Sequence, residues 1–208
     1  MVYKIDIYDK SGKVVSNFTL DEKLYADSLV NKNLIHEYYL LQMSNARHNI
    51  ACVKGRGAVH GSGKKLYKQK GTGGARAADK NSPVRRGGGV AFGPRGVENY
   101  TKTMNKKARR IALNSIITLK AKAGELMGLK DITLDTPKTK DAQAILKNIG
   151  IDTKKVLFVI AEKDENVLKS FRNIPKVKYL HVDYLNPADL MSYHTVLFLE
   201  SSLESLNK

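Results

Sequence analysis

Among its 208 residues this chain has one cysteine, Cys52, and no tryptophan. One thiol closes no internal disulfide and holds no zinc cluster, which fits a reducing cytoplasm. No apolar run approaches ~18 residues, so nothing in the sequence reads as a membrane span. The opening MVYKIDIYDKSGK alternates polar and apolar residues and has no apolar block of the kind a signal peptide carries. Acidic residues are also few: 20 Asp and Glu stand against 36 Lys and Arg, leaving a formal charge of +16. An apolar share of 42% and a charged share of 27% lie near globular averages and exclude wholesale disorder. The length suits one or two domains with a sizeable core.

The shortage of acid is local. From Arg47 to Arg110 there are 17 basic residues and two acids, Asp79 and Glu98, a net charge of +15. The rest of the chain holds 19 basic and 18 acidic residues, a net +1. The same stretch carries 12 of the 16 glycines, and between Cys52 and Arg110 it has no isoleucine and one leucine, Leu66. So few large apolar groups cannot form a core. The expected organisation is a globular body, residues 1–49 and 101–208, interrupted by an extended basic loop over residues 50–100.

Periodicity supplies the body's layout. Residues 2–8 alternate as a strand, Ser11-Gly12-Lys13 reads as a turn, and Val14–Phe18 as the returning strand. Leu34, Tyr38 and Leu41 fall at helical spacing between about Leu29 and Arg47. Met104, Ala108, Ile111, Ala112, Ser115 and Leu119 mark one face of a long helix that Gly124 ends. A helix is expected over 137–148, with Thr136 as cap and Pro137 in its first turn. Val156–Ala161, Val177–Val182 and Thr195–Leu199 read as strands, separated by helical segments at 164–173 and 187–192. Nearly continuous apolar strands alternating with helices indicate an α/β fold with a Rossmann-like, mostly parallel sheet flanked by helices.

Such a body invites a nucleotide-dependent enzyme with the basic loop as its lid, but the phosphate fingerprints are missing. A P-loop requires Ser or Thr after Gly-Lys; Gly63-Lys64 is followed by Lys65, and Ala58 occupies the place of the first glycine. A dinucleotide site requires a small residue five positions after its first glycine, where Arg76 follows Gly71 and His60 follows Gly55. His36, His48, His60, His181 and His194 show no metal-ligand spacing, and the last two are expected at the core edge. Cys52 has basic neighbours but no identifiable base or resolving thiol. Asp164-Glu165 reads as a helix start, where acids favour the dipole. No catalytic constellation, cofactor site or metal site emerges.

The basic stretch has a more definite chemistry. Its cations are interleaved with glycine, as in Lys54-Gly55-Arg56-Gly57, Gly61-Ser62-Gly63-Lys64-Lys65 and Arg85-Arg86-Gly87-Gly88-Gly89. Glycine lets backbone N–H groups approach phosphates while the long side chains neutralise them. Tyr67 and Phe92 are the only aromatics between Tyr39 and Tyr100; each can stack on an unpaired base or pin the loop to the body. Lys106, Lys107, Arg109 and Arg110 crowd the start of the following helix, where cations oppose the macrodipole unless an anionic partner is present. About 25 residues per limb at ~3.3 Å each reach ~80 Å. A loop this long is disordered alone or threaded into something large, and folded RNA offers a deep polyanionic cavity that duplex DNA does not.

The run Gly61-Ser-Gly-Lys-Lys-Leu-Tyr-Lys-Gln-Lys-Gly-Thr-Gly-Gly-Ala-Arg76 is followed by Ser82-Pro83, by Arg86-Gly-Gly-Gly-Val-Ala-Phe-Gly-Pro94 and by Asn105-Lys-Lys-Ala-Arg-Arg-Ile-Ala-Leu113. These blocks closely resemble the family of bacterial large-subunit ribosomal protein four, whose loop reaches the peptide exit tunnel. Thr136-Pro-Lys-Thr-Lys140 and the strand from Val156, followed by Glu162, Asp164 and Glu165, look like its C-terminal pattern, so the resemblance spans essentially the whole chain.

The resemblance implies a structural constituent of the cytoplasmic large subunit, without catalysis, that supports subunit assembly and translation. It implies that Arg47, Lys54, Arg56, Lys64, Lys65, Lys68, Gln69, Arg76, Arg85, Arg86 and Arg95 bind large-subunit ribosomal RNA. Asn105, Lys106, Lys107, Arg109 and Arg110 would do the same from the helix. Lys70, Gly71, Thr72, Gly73 and Gly74 would form the loop tip near the nascent peptide and opposite another tunnel-constriction protein. Neighbouring large-subunit proteins are implied as partners; a membrane, a cofactor and an obligate homo-oligomer are not. Some members also repress their own operon through messenger RNA, an activity compatible with the first. Two departures stand out: Leu66-Tyr67 occupies the usual Pro-Trp position, losing proline's fixed φ, and Gly74 replaces the tip's first arginine.

Overall fold

A computed structural model describes residues 3–132, 134 and 136–207. The chain divides into two compact units: the residues up to Met43 together with those from Thr103 onward, and Ser44–Lys102.

The described strands of the first unit are β1 (Lys4–Tyr8), β2 (Val14–Thr19), β3 (Leu126–Leu129), β4 (Val156–Ile160), β5 (Val177–His181) and β6 (Thr195–Leu199). They form one sheet in the order β2-β1-β3-β6-β4-β5. The β1–β2 hairpin is antiparallel, and every other neighbouring pair is parallel. The helices are α1 (Lys32–Asn45, its last turn entering the second unit), α2 (Lys106–Lys122), α3 (Thr139–Ile149), α4 (Glu165–Phe171), α5 (Pro187–Ser192) and α6 (Glu200–Leu206).

Strand periodicity of two creates two cores. Leu157 and Val159 of β4, with Val196 and Phe198 of β6, enter one cluster with Ile35 of α1, Ile116 and Ile117 of α2, Leu190 of α5 and Leu203 of α6. The alternate residues Val156, Phe158, Ile160, Leu197 and Leu199 enter the other, covered by Ala142, Ile145 and Leu146 of α3 and Val167 and Phe171 of α4. Both faces being covered, β4 and β6 are buried at every position, which is why they read as continuous apolar runs. Phe158 and Phe171 stack with ring centroids 4.5 Å apart.

Several expected boundaries move, each for a local reason. Val2 lies outside the described residues, and β1 is seen from Lys4. α1 starts at Lys32 because Asn31 Oδ1 accepts from the N–H groups of Asn33 and Leu34 at 3.1 and 3.2 Å, a side-chain cap; a 3₁₀ turn occupies Asp27–Leu29. Met104 precedes α2, and Ile111, expected on its buried face, is exposed, while Ile116, Ile117 and Thr118 are buried instead. Thr136 does not cap α3: the Lys138 N–H donates to Ser170 Oγ at 3.1 Å, holding the chain extended until Thr139. The helix start expected at Asp164-Glu165 is seen, and Asp164 caps α4 by accepting from the Asn166 N–H at 2.9 Å. His194 is exposed rather than at the core edge.

β3 and α6 have no counterpart in the sequence reading. β3 has four residues, one of them glycine, and gains its place between β1 and β6 by pairing rather than by its own pattern. A buried charge ties the elements together there. Lys120 Nζ of α2 donates to Glu125 Oε2 at 2.5 Å and to the carbonyls of Tyr193 and His194 at 3.0 and 3.1 Å. These three acceptors offset the desolvation of the ammonium.

The second unit has another character. Apart from the end of α1, its described residues form no helix or strand, only an isolated antiparallel bridge between Cys52 and Arg95. Its only buried described residues are Asn81 and Gly89.

Candidate nucleic-acid interface

Within the second unit a series of polar contacts joins two limbs. Beyond the Cys52–Arg95 bridge, the Val53 N–H donates to the Pro94 carbonyl at 3.0 Å and the Val90 N–H to the Lys54 carbonyl at 2.9 Å. Asn81 is the hub. Its carbonyl accepts from the Gly89 N–H at 3.0 Å, and its Nδ2 donates to the carbonyls of Val59 and Gly61 at 3.2 and 3.4 Å. Further out, the Leu66 N–H donates to the Ala78 carbonyl at 2.9 Å, and the Tyr67 hydroxyl donates to the carbonyl of Ala75. Polar contacts thus take the place of the missing apolar core.

Glycine is required at particular points of this framework. A Cβ on Gly89 would lie 2.3 Å from the Arg56 nitrogen and 2.5 Å from the Gly55 carbonyl carbon, so the limbs approach as closely as they do only without a side chain there. Between Tyr67 and Ala75 the exposed residues Lys70, Gly71, Thr72, Gly73 and Gly74 turn the chain, with Gly71 and Gly73 at φ 81° and 68°.

Ser44–Lys102 contains 13 Lys and Arg but only Asp79 and Glu98 as acids. Arg47, Lys54, Arg56, Lys64, Lys65, Lys68, Gln69, Arg76, Arg85, Arg86 and Arg95 are all exposed. Among the described residues the ion pairs between acidic and basic side chains lie in the first unit. The two acids are otherwise engaged or half-buried: the Glu98 carboxyl is held below its ordinary pKa by its own backbone N–H, by Asn49 and by the Arg95 N–H. Among the described residues, Lys65 of this unit donates to the Gln69 side-chain amide, Arg85 to the Tyr67 hydroxyl and Arg47 stacks on a ring; none of these partners is a carboxylate.

The two aromatics divide. Tyr67 is half-buried and internal: Arg85 Nη2 donates to its hydroxyl at 3.1 Å and carries its guanidinium 5.8 Å from the ring centroid. Phe92 is fully exposed and sits at φ 54°, a left-handed conformation that a bulky residue rarely adopts. Arg47 stacks on Tyr100, its guanidinium carbon 3.9 Å from the ring centroid. Neither this pairing nor the role of Asn81 was legible beforehand, because a lone Asn or Tyr among glycines and cations carries no periodic signal.

In the first unit the start of α2 carries Lys106, Lys107, Arg109 and Arg110. Its first turn has no acid, and the Asn105 side chain makes no capping hydrogen bond. All but Arg109 are exposed; Arg109 is half-buried, and its Nε is buried with no hydrogen-bond partner. Cations at the positive end of a helix dipole raise the energy of the free protein, and an anion brought there lowers it.

Among the described residues no group of His, Cys, Asp and Glu is placed to hold a metal ion, and no helix is long and apolar enough to cross a membrane. The pattern of the ribosomal protein L4/L1 family matches residues 18–208. A large ribosomal subunit protein uL4 from Geotalea daltonii is 44% identical over 203 residues, covering 98% of this chain and 96% of its own. Proteins of the same name from Halothermothrix orenii (37%, covering 97% and 95%) and Dehalococcoides mccartyi (36%, covering 99% and 96%) are similar over equal spans. A match this continuous covers the α/β unit and the glycine-rich cationic unit alike, and the chain belongs to the ribosomal protein L4/L1 family, a family of structural proteins and not of enzymes.

Proposed function

We propose that the chain is a structural constituent of the large ribosomal subunit that binds large-subunit ribosomal RNA. In this reading residues 50–100 form an extended loop that lines the constriction of the polypeptide exit tunnel, and residues 1–49 and 101–208 form a Rossmann-like body. The observation that carries it is the set of exposed cations on Ser44–Lys102 without a carboxylate partner among the described residues. Polyphosphate supplies what the chain itself withholds, and the glycine-rich backbone allows close approach. Arg47, Lys54, Arg56, Lys64, Lys65, Lys68, Gln69, Arg76, Arg85, Arg86 and Arg95, with Asn105, Lys106, Lys107, Arg109 and Arg110, bind RNA; Phe92 offers the more accessible stacking face and Tyr67 the more restrained one. Lys70–Gly74 forms the tip, beside the nascent peptide and opposite another tunnel-constriction protein. The site of action is the cytoplasmic large subunit, among neighbouring ribosomal proteins.

The test is binding to purified large-subunit ribosomal RNA by the full chain and by a variant lacking residues 54–96. The full chain is expected to bind with a steep salt dependence and the deletion to lose most of that affinity. Equal affinity of the two would overturn the reading. Co-sedimentation with large subunits after a high-salt wash is the second expected outcome.

A further inference from the structure

The first unit contains a cavity of about 480 Å³ that none of the contacts above explains. Its polar rim is the start of α2, through Lys106, Arg109 and Arg110, and its apolar wall is made by Tyr38 of α1 with Leu113 and Ile117 further along α2. Tyr25 also lines it, and its hydroxyl is already engaged, donating to the carbonyl of Leu206, another lining residue, at 2.7 Å. The buried, unpartnered Arg109 Nε belongs to a residue of this rim.

We infer that this cavity receives one unstacked nucleotide of the RNA partner, its base against Tyr38 and Leu113 and its phosphate at Lys106 and Arg110. The inference rests on the RNA-binding reading and specifies a pocket for it outside the loop. Three observations select this occupant. The volume falls in the range of small-molecule pockets, roughly 300–1,000 Å³. The wall combines an aromatic face with aliphatic groups, which suits a flat base, and bases splayed from single-stranded RNA are commonly stacked this way. The rim unites three cations with uncapped N–H groups at a helix N-terminus, a combination that attracts phosphate. Asp183, also in the lining, is exposed and lies 3.5 Å from His181 Nδ1; Lys106, Arg109 and Arg110 outnumber it, so the lining stays cationic. A peptide of acidic and aliphatic residues would satisfy the rim, but it presents no flat group to the wall.

The experiment measures affinity for deproteinised large-subunit ribosomal RNA, and its salt slope, for the full chain and four variants. Tyr38→Ala removes the stacking face, Ser205→Phe fills the cavity from α6, Tyr38→Phe keeps the ring, and Lys107→Gln removes a neighbouring charge that does not line the cavity. Tyr38→Ala and Ser205→Phe are expected to weaken binding roughly 5- to 100-fold, the first with the salt slope unchanged and the second with a lower one, since it also displaces the phosphate from Lys106 and Arg110. Tyr38→Phe should bind as wild type, and Lys107→Gln should lower the slope without the larger loss. Because Tyr38→Ala and Ser205→Phe act in opposite steric directions, a folding defect in one leaves the other decisive, with thermal melts as the control. In parallel, adenosine 5′-monophosphate titrated into the wild-type chain should shift the Tyr38 ring and Leu113 methyl resonances, and sulfate should not. Affinities of Tyr38→Ala and Ser205→Phe within twofold of wild type, with no nucleotide-induced shift, would overturn the pocket while leaving RNA binding by the loop standing. So would capture of a Glu- and Leu-rich peptide that the same variants abolish while RNA affinity holds. Failure of the wild-type chain to bind the RNA would instead remove the functional reading beneath both.

Discussion

Tyr25 and Phe92 mark the two extremes of how a single aromatic is used in this chain. Tyr25 is buried in the body, and burial, followed by the nearby Asp21 charge, pushes its hydroxyl up to about 12. A phenol whose pKa is higher folded than unfolded stays neutral longer in the folded state. Its contribution is therefore complete below pH 10 and lost as pH rises from 10 towards about 12, an effect of about 2–3 kcal/mol. Tyr25→Phe should flatten this alkaline decline in urea unfolding while losing about 1 kcal/mol at neutral pH, the hydrogen bond to Leu206 being gone. Phe92, by contrast, stabilises nothing by burial and sits in a backbone region that glycine would occupy at lower cost. If its ring stacks on a base, Phe92→Gly should leave the fold as stable or more stable and still weaken RNA binding, by about 1–3 kcal/mol. Filter-binding and thermal melts on one preparation separate the two effects.

At the scale of elements, position is decided by junctions between strands and helices. The Lys120–Glu125 pair joins α2 to the start of β3, while the carbonyls of Tyr193 and His194 bring in the approach to β6. Glu125→Ala would leave a nearly buried ammonium with carbonyl partners only; the expected loss is about 3 kcal/mol, read as a lower midpoint in chemical denaturation. Lys120→Met should cost less than Glu125→Ala, since the carboxylate it leaves behind is 26% exposed and reaches water, whereas the ammonium is only 11% exposed. The continuous strands β4 and β6 were legible because burial on both faces leaves a plain apolar run. β3 was not, since four residues with a glycine carry too little pattern, and its neighbours β1 and β6 lie far away in sequence. α3 starts three residues past Thr136 because Ser170, on another helix, takes up the Lys138 N–H; a boundary set by tertiary contact leaves no local trace.

For the whole molecule, the charge of +16 is a property of one stretch, and binding should carry its signature. Log affinity for RNA should fall with log salt by about 0.7–0.9 per phosphate neutralised, and Arg85→Gln with Arg86→Gln should lower the slope by about two such increments. Lys70→Glu, at the exposed turn, should leave incorporation into large subunits intact and alter the binding of small molecules in the exit tunnel of the purified particles. Incorporation failing together with tunnel binding would place Lys70 among the assembly contacts and away from the tip.

Composition and periodicity alone determined the α/β class, the separation of an almost neutral body from a cationic, glycine-rich stretch, and the absence of a phosphate-binding fingerprint. These follow from local rules: the two-residue repeat of strands, the spacing of helical faces and the count of charges along the chain. Tertiary structure alone decided the sheet order, the places of β3 and α6, the choice of Asn81 as hub, and the cavity beneath the start of α2. Each depends on which distant residues are brought within about 3–4 Å, the range over which hydrogen bonds and van der Waals contacts act.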